Sequence, residues 1–345
     1  MKPDTKLLKV DDLKKWYESR VTAKGKKFRK VKKLIKAVDG VSFELEAGEI
    51  LGVIGESGCG KSTLGKLLVK LEEPTSGEIF INGVSAETIF KSNPLEFRRM
   101  VQIIFQNPFD SFDPRNIIED VLQSTLKLHG IGSSPGERGA LVKKSLEEVG
   151  LKPAEKFLKR YPHELSGGQL QRISIVKAMM LEPDILIADE AVSMLDVSVR
   201  ADIIKLLKKL TKTKGTTLIF VSHDINTTSY ISDKIAVMYL GEIVEFGNTE
   251  DILNQTNHPY TKVLLSNSSS IDITQKKEVI SISGEPPAPV DHGPGCYFAP
   301  RCYMAKEVCI SKHPETKNVS SSHQVSCHFS ASSALEKQCS VIPEK

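Results

Sequence analysis

Gly55-Glu56-Ser57-Gly58-Cys59-Gly60-Lys61-Ser62 is the stretch on which the reading of this chain turns. It matches G-x-x-x-x-G-K-[ST] with both flanks in place: the apolar run Ile50–Ile54 reads as a buried strand before it, and a helical pattern follows. In that pattern Leu64, Leu67, Leu68 and Leu71 fall at i, i+3, i+4 and i+7, which predicts a helix laying one face on a sheet. Strand, glycine turn and helix make half of a βαβ unit. Glycines let successive backbone N–H groups turn toward one centre, and the helix N-terminus adds positive potential where phosphates sit. Lys61 is expected to reach the β and γ phosphates of a nucleoside triphosphate, and Ser62 to ligate Mg²⁺. Gly55, Ser57, Gly58, Cys59, Gly60 and Thr63 complete the loop around the nucleotide. Cys59 reads either as a reactive thiol or, the commoner fate, as a small packing residue.

Phosphoryl transfer also needs an acid on the metal side and a group that prepares water. The apolar run Ile185–Ala188 delivers Asp189 and Glu190 to a strand end, where ligands collect in parallel sheets. Asp189 is assigned to the magnesium shell and Glu190 to the attacking water; alone, they would read as acids capping a strand. Leu218–Val221 is a further central strand.

Composition bounds the rest. The 345 residues exceed one ordinary core, so two domains of unequal size are expected. Apolar residues at 40% and charged residues at 26% fit a folded globular chain and exclude a disordered one. No apolar run approaches the ~20 residues that span a bilayer. The N-terminal Met-Lys-Pro-Asp-Thr leads into no apolar export segment. The net charge is only +4, and much of it is local: Arg20 to Lys36 holds nine Lys or Arg and no acid. Such a run suits nucleic acid or anionic headgroups, or simply a solvated loop between two strands, Leu7–Val10 and Ala37–Leu45. Six cysteines are too few for a disulfide scaffold, yet four crowd into Cys296–Cys327, which points to a local metal or redox site.

Between Phe109 and Met180 the period becomes helical, with Gly and Pro interspersed, as in a helical insertion carried by an α/β core. A Ser-Asn-Ser-Ser-Ser run past Leu265, then Gly284-Glu285-Pro286-Pro287-Ala288-Pro289, reads as a linker. The expected units are therefore 1–265, with the helical part at 109–180, and a smaller cysteine-bearing unit at 266–345.

Leu165-Ser166-Gly167-Gly168-Gln169 resembles the signature of ABC (ATP-binding cassette) ATPases. Its companions follow in order: Gln106 in Phe105-Gln106-Asn107-Pro108 resembles the Q-loop, Ser193-Met194-Leu195-Asp196 the D-loop, and His223 in Val221-Ser222-His223-Asp224 the switch histidine. The resemblance implies an α/β P-loop NTPase cassette, with a RecA-like core, an antiparallel β subdomain and a helical subdomain, plus a small Cys-rich C-terminal domain. It implies ATP and Mg²⁺ as cofactors and head-to-tail pairing of two cassettes. Ser166, Gly167, Gly168 and Gln169 would then face the γ-phosphate of a nucleotide held mainly by the partner, with Asp196 beside them. Gln106 would couple Mg²⁺ and water to a membrane subunit, and His223 would hold the γ-phosphate while Glu190 acts. Tyr17 sits where the family places an aromatic against adenine, with Trp16 next to it.

The whole chain resembles the oligopeptide and dipeptide importer branch, through Ala37–Phe43, Phe109–Arg115, His258-Pro259-Tyr260-Thr261 and Gly295–Cys302. That implies two transmembrane permease subunits, a second related ATPase with a heterodimer favoured, an extracytoplasmic solute-binding protein acting indirectly, and a place on the cytoplasmic face of the membrane. Relatives in the branch also move oligosaccharides or nickel, and other ABC ATPases act on nucleic acid without a permease; the short insertion and single phosphate loop here disfavour the latter. Five, six and seventeen residues separate Cys296, Cys302, Cys309 and Cys327, a spacing that identifies no metal by itself. The resemblance implies a [4Fe–4S] cluster on all four, with zinc as the alternative, to which His292, His313, His323 or His328 would contribute. Cys339 is placed outside the ligand set.

Overall fold

The computed structural model describes residues 6–22, 30–268, 280–282, 284, 287, 290 and 293–330. Their order is β1 (Lys6–Thr22), β2 (Lys30–Glu46), β3 (Ile50–Ile54), α1 (Lys61–Leu68), β4 (Ser76–Ile81), β5 (Val84–Ser85), α2 (Ala86–Ser92), α3 (Pro94–Met100) and β6 (Val101–Ile104). Then come α4 (Ile118–Leu128), α5 (Pro135–Glu148), α6 (Glu155–Leu158), α7 (Gly167–Met179), β7 (Ile185–Asp189), α8 (Val197–Lys214), β8 (Thr217–Ser222) and α9 (Ile225–Ile231). The last part holds β9 (Lys234–Tyr239), β10 (Glu242–Asn248), α10 (Thr249–Asn254), α11 (Pro259–Asn267), α12 (Glu307–Ser311), β11 (Lys317–Asn318) and β12 (Gln324–Val325).

An eight-stranded sheet in the order β11-β12-β10-β9-β3-β8-β7-β6 forms the centre. Its β9-β3-β8-β7-β6 part is parallel throughout, so the C-terminal ends of β3, β8, β7 and β6 emerge side by side on one edge. Strands β3, β7 and β8 are buried at every position, which is why they read as continuous apolar runs and not as alternating ones. One face of this sheet packs through α1 against an antiparallel sheet, β2-β1-β4-β5; the other packs on α7 and α8. Helices α4 to α7 close a core of their own around Leu122, Leu126, Val142, Leu146 and Leu170.

Two expectations are corrected. The strands beside the basic run are much longer than Leu7–Val10 and Ala37–Leu45: β1 and β2 pair antiparallel from Lys6 to Glu46, so most of the described part of that run lies in strand; residues 23–29 lie outside the described residues. The helix after the phosphate loop stops at Leu68, because Lys70 adopts φ 55° and Leu71 N–H returns to Lys66 O (2.9 Å) while Lys70 N–H returns to Leu67 O (3.1 Å), a Schellman ending. Leu71 is therefore 56% exposed instead of facing the sheet. The C-terminal segment joins the central sheet, with β12 pairing β10, and Phe298 enters the core formed by Ile235, Val237, Tyr239 and Tyr260. Among the described residues, no helix is long and apolar enough to cross a membrane.

Candidate active site

The parallel edge gathers the site. The loop 55–60 leaves β3 and enters α1 with Gly60 at φ 109°; a Cβ there would lie 2.0 Å from Ala37 O, so only glycine fits. Lys61 is 3% exposed, and its ammonium donates to the carbonyls of Gly55 (2.8 Å) and Glu56 (3.0 Å). Ser57, Gly58 and Ser62 are exposed at the mouth. Cys59 is buried, 3.8 Å from Lys61 Nζ, and burial pushes its thiol up, which fits packing and not a reactive nucleophile.

Strand β7 brings Asp189 to α1, where Ser62 Oγ donates to Asp189 Oδ1 at 3.0 Å. Burial raises the Asp189 carboxyl above its usual range, with the neighbouring Glu190 adding to the shift and Ser62 opposing it. Ser62 and Asp189 are oxygen donors of the kind that would hold a divalent cation. Glu190 adopts φ 47°, an uncommon backbone for a non-glycine residue, and its N–H bonds Val221 O (3.0 Å) on β8. That turn presents its carboxylate to Gln106 Nε2 (3.1 Å), from the end of β6, and to His223 Nδ1 (3.7 Å), from the end of β8. Ser193 Oγ accepts from Gln106 Nε2 (3.2 Å) and donates to the backbone carbonyl of Glu190 (2.9 Å). Lys61, Ser62, Gln106, Asp189, Glu190 and His223 thus converge at one edge, although long stretches of chain separate them.

On β1, Tyr17 and Trp16 point to opposite sides. Tyr17 Oη bonds Glu72 and the Thr63 side chain beside α1, with Lys15 Nζ 5.1 Å from its ring centre; burial, then Glu72, pushes the phenol up to about 12. Trp16 donates to Asp39 Oδ1 (2.9 Å) under Lys36, and so is committed elsewhere. Ser166 caps α7 in a closed box with Gln169, with Gln169 N–H donating to Ser166 Oγ (3.3 Å) and Ser166 N–H to Gln169 Oε1 (3.1 Å). Ser166 and Gly167 are exposed and bond nothing on the phosphate loop; Asp196, Met194 and Val197 on the segment leading into α8 are exposed too. These residues are open to solvent.

Cys296, Cys302, Cys309 and Cys327 line one cavity with Met304, Phe298 and His328, all four as free thiols. Burial drives Cys296 and Cys302 up to about 11, and the charges of neighbouring thiols add to it. Among the described residues no three His, Cys, Asp or Glu side chains are grouped as a metal-ion site, so the structure supports neither the expected [4Fe–4S] cluster nor zinc there. His313 and His323 are committed to Glu242 (3.2 Å) and Glu245 (2.9 Å), and His328 Nε2 lies 2.9 Å from Lys312 O. His292 and Cys339 lie outside the described residues.

Sequence reasoning missed two partners of the loop: Tyr260 Oη accepts the Glu56 N–H (2.9 Å), and Arg301 pairs with the Glu56 carboxylate. Both lie in stretches that resemble the importer branch, but nothing local tells that they meet residue 56. A groove of about 490 Å³ runs between the helical part and the main core, lined by Leu71, Gln102, Phe105, Asp110, Leu128 and Lys177.

A phosphate-loop sequence, the Ser62–Asp189 pair and a carboxylate flanked by Gln and His on one sheet edge are the arrangement of an ATP-hydrolysing cassette. The chain matches the ABC transporter family over residues 38–193, and the C-terminal region of oligopeptide/dipeptide transporters over 244–309. It is 42% identical to the dipeptide transport ATP-binding protein DppF of Haemophilus influenzae, over 95% of this chain and 98% of that one. It is 41% identical to the oligopeptide transport ATP-binding protein AppF of Bacillus subtilis, over 94% of this chain and 97% of that one. The dimeric ATP-binding cassette MJ0796 bound to ADP and Pi is similar in structure, with a TM-score of 0.60 and 26% identity over 70% of this chain and 99% of that chain. The chain belongs to the ATP-binding proteins of ABC transporters, in their oligopeptide/dipeptide branch.

Proposed function

We propose that this chain powers import of oligopeptides or dipeptides by hydrolysing ATP at the edge of its central sheet, on the cytoplasmic face of a membrane. The observation that carries the reading is the meeting of Gln106, Glu190 and His223 beside the Ser62–Asp189 pair. Lys61 leaves the two carbonyls that hold it for the β and γ phosphates, while loop N–H groups, with Gly55, Ser57, Gly58, Cys59, Gly60 and Thr63, wrap the chain of phosphates. Ser62, Asp189 and Gln106 would hold Mg²⁺, which when bound would supply charge neutralisation on the phosphates. Glu190 takes the proton of the attacking water, and His223 orients the γ-phosphate. Tyr17 stacks on the base. A purified Lys61→Ala chain is expected to lose nucleotide affinity and turnover; full retention of both overturns the assignment.

The exposed Ser166, Gly167 and Asp196, with Gly168 and Gln169 beside them, suit a site completed by a second cassette, a related subunit or a copy of this chain, so that ATP closes the pair and hydrolysis releases it. Two permease subunits receive that motion through the groove beside Gln106–Pro114, where Leu71 and Leu128 stand 56% and 65% exposed. A solute-binding protein outside the membrane delivers the cargo. Copurification from native membranes in mild detergent tests the set: permeases support it, whereas salt-sensitive DNA or RNA binding instead refutes it.

Residues 1–265, with the helical part at 109–180, form the nucleotide-binding unit in this reading, and 266–345 an appended region. Four thiols line one cavity, and on the resemblance to the importer branch Cys296, Cys302, Cys309 and Cys327 are assigned to a [4Fe–4S] centre that would tie the segment's turns together, with zinc as the alternative. Anaerobic purification with iron, sulfide and zinc analysis decides it, and a metal-free folded chain sinks it.

A further inference from the structure

Glu56 is the second residue of the phosphate loop, and residues far along the chain grip it. Arg301 Nη1 and Nη2 donate to its two carboxylate oxygens at 2.7 and 3.1 Å, a bidentate pair. Its N–H donates to Tyr260 Oη at 2.9 Å, and its carbonyl is one of the two that hold Lys61. The grip is itself braced. Tyr260 packs on Tyr239 and Phe298 with ring centres 4.7 and 5.4 Å apart, and Arg301 Nη1 reaches Tyr239 Oη at 3.4 Å. Arg301 closes a tight turn in which Ala299 N–H bonds Cys296 O (3.0 Å), Arg301 N–H bonds Phe298 O (3.0 Å) and Cys302 N–H bonds Ala299 O (3.3 Å).

An exposed ion pair would contribute little. This one differs in geometry: the Arg301 side chain is 8% exposed, and a fork-to-fork pair fixes direction as well as distance. The next two residues of the loop, Ser57 and Gly58, stand exposed. We infer that Arg301 is a positioning residue for the phosphate loop: it locks Glu56 so that the Lys61-bearing carbonyls and the loop N–H groups are already arranged before the triphosphate arrives.

The inference rests on the loop 55–62 being the triphosphate site. It makes the turn between Cys296 and Cys302 part of the support of that site. A loop held in one conformation loses less freedom on binding, and the gain is the same in ground and transition states. Loss of the lock therefore raises the MgATP dissociation constant and KM together and leaves kcat nearly unchanged.

The test uses the full chain, with MgATP affinity, steady-state KM and kcat, and thermal unfolding measured side by side on wild type, Arg301→Ala, Arg301→Lys, Glu56→Gln and the Arg301→Ala/Glu56→Gln pair. Arg301→Ala and Glu56→Gln are each expected to weaken MgATP binding about tenfold, and the pair no more than either alone, the mark of one shared interaction. Arg301→Lys is expected to recover part of the loss, with kcat within about threefold throughout. Unchanged MgATP affinity in the folded variants, even with a lower unfolding temperature, overturns the inference, since stability alone would then be Arg301's role. Additive losses in the pair overturn it as well. If Arg301→Ala does not fold, Arg301→Lys and Glu56→Gln, which keep charge or volume, decide between the same outcomes. Failure of the wild type itself to bind MgATP would instead overturn the site assignment on which this inference stands.

Discussion

Replacing Glu190 by Gln separates binding from chemistry at this site. The amide has nearly the carboxylate's shape, so it keeps a hydrogen-bonding group 3.1 Å from Gln106 and leaves the Ser62–Asp189 pair and the Lys61 cradle untouched. It cannot accept a proton from water. A positioned general base contributes roughly 10²- to 10⁴-fold, about 3–5 kcal/mol of barrier, and that is the loss expected in kcat. Affinity should not suffer: the substitution removes one negative charge from a pocket built for a polyanion, so MgATP binding is expected to hold or tighten. Phosphate release from the purified complex, with nucleotide binding on the same sample, gives both numbers. Turnover within about threefold of wild type would refute Glu190 as the base, and a parallel loss of affinity would show that it holds the nucleotide instead.

Other outcomes follow from packing and burial. A Cβ on Gly168 would stand 2.6 Å from Val199 Cγ1 on α8, so Gly168→Ala is expected to destabilise by about 1–3 kcal/mol, and Val199→Ala in the same chain to restore most of it, read by urea midpoints. Phe298→Ala empties the ring cluster with Tyr239, Tyr260 and His258 and should cost about 3–5 kcal/mol; a shift smaller than about 1 kcal/mol in urea unfolding would contradict the core placement of the C-terminal turn. His258 is buried neutral, its Nδ1 accepting the Tyr260 N–H at 3.1 Å, and burial lowers it from 6.5 to about 4 despite Glu245. The unfolded chain therefore takes up a proton that the folded chain refuses: stability is full above pH 6.5 and falls by about 3 kcal/mol as pH drops toward 4. His258→Asn, whose side-chain oxygen accepts the same N–H, should flatten that part of the profile; a wild-type-minus-variant difference that stays constant from neutral pH down to about 5 would count against it.

Much of the site was legible because its parts are local strings with fixed mechanics. The loop 55–62 needs its glycines and lysine in one order, and buried parallel strands such as Ile185–Asp189 are uninterrupted apolar runs that end in acids. Helix ends were less legible: Leu71 keeps the helical period, yet Lys70 turns left-handed and takes it off the sheet. Tyr17 and Trp16 were adjacent candidates in sequence, and only the strand's alternation, with Trp16 turned to Asp39 and Tyr17 to Thr63, separates them.

By itself the sequence determined the chemistry available: a phosphate loop, two acids behind a buried strand, a cassette signature and a cluster of four cysteines. Each depends on residue types close to one another along the chain. Only the tertiary structure decided which distant groups meet. Parallel pairing of β3, β8, β7 and β6 puts Lys61, Gln106, Asp189, Glu190 and His223 on one edge, and the addition of the C-terminal segment to the core sets Arg301 and Tyr260 on Glu56. Those contacts span 204 and 245 residues of chain, and they form because burial and sheet pairing fold the backbone back on itself, a property no local pattern carries.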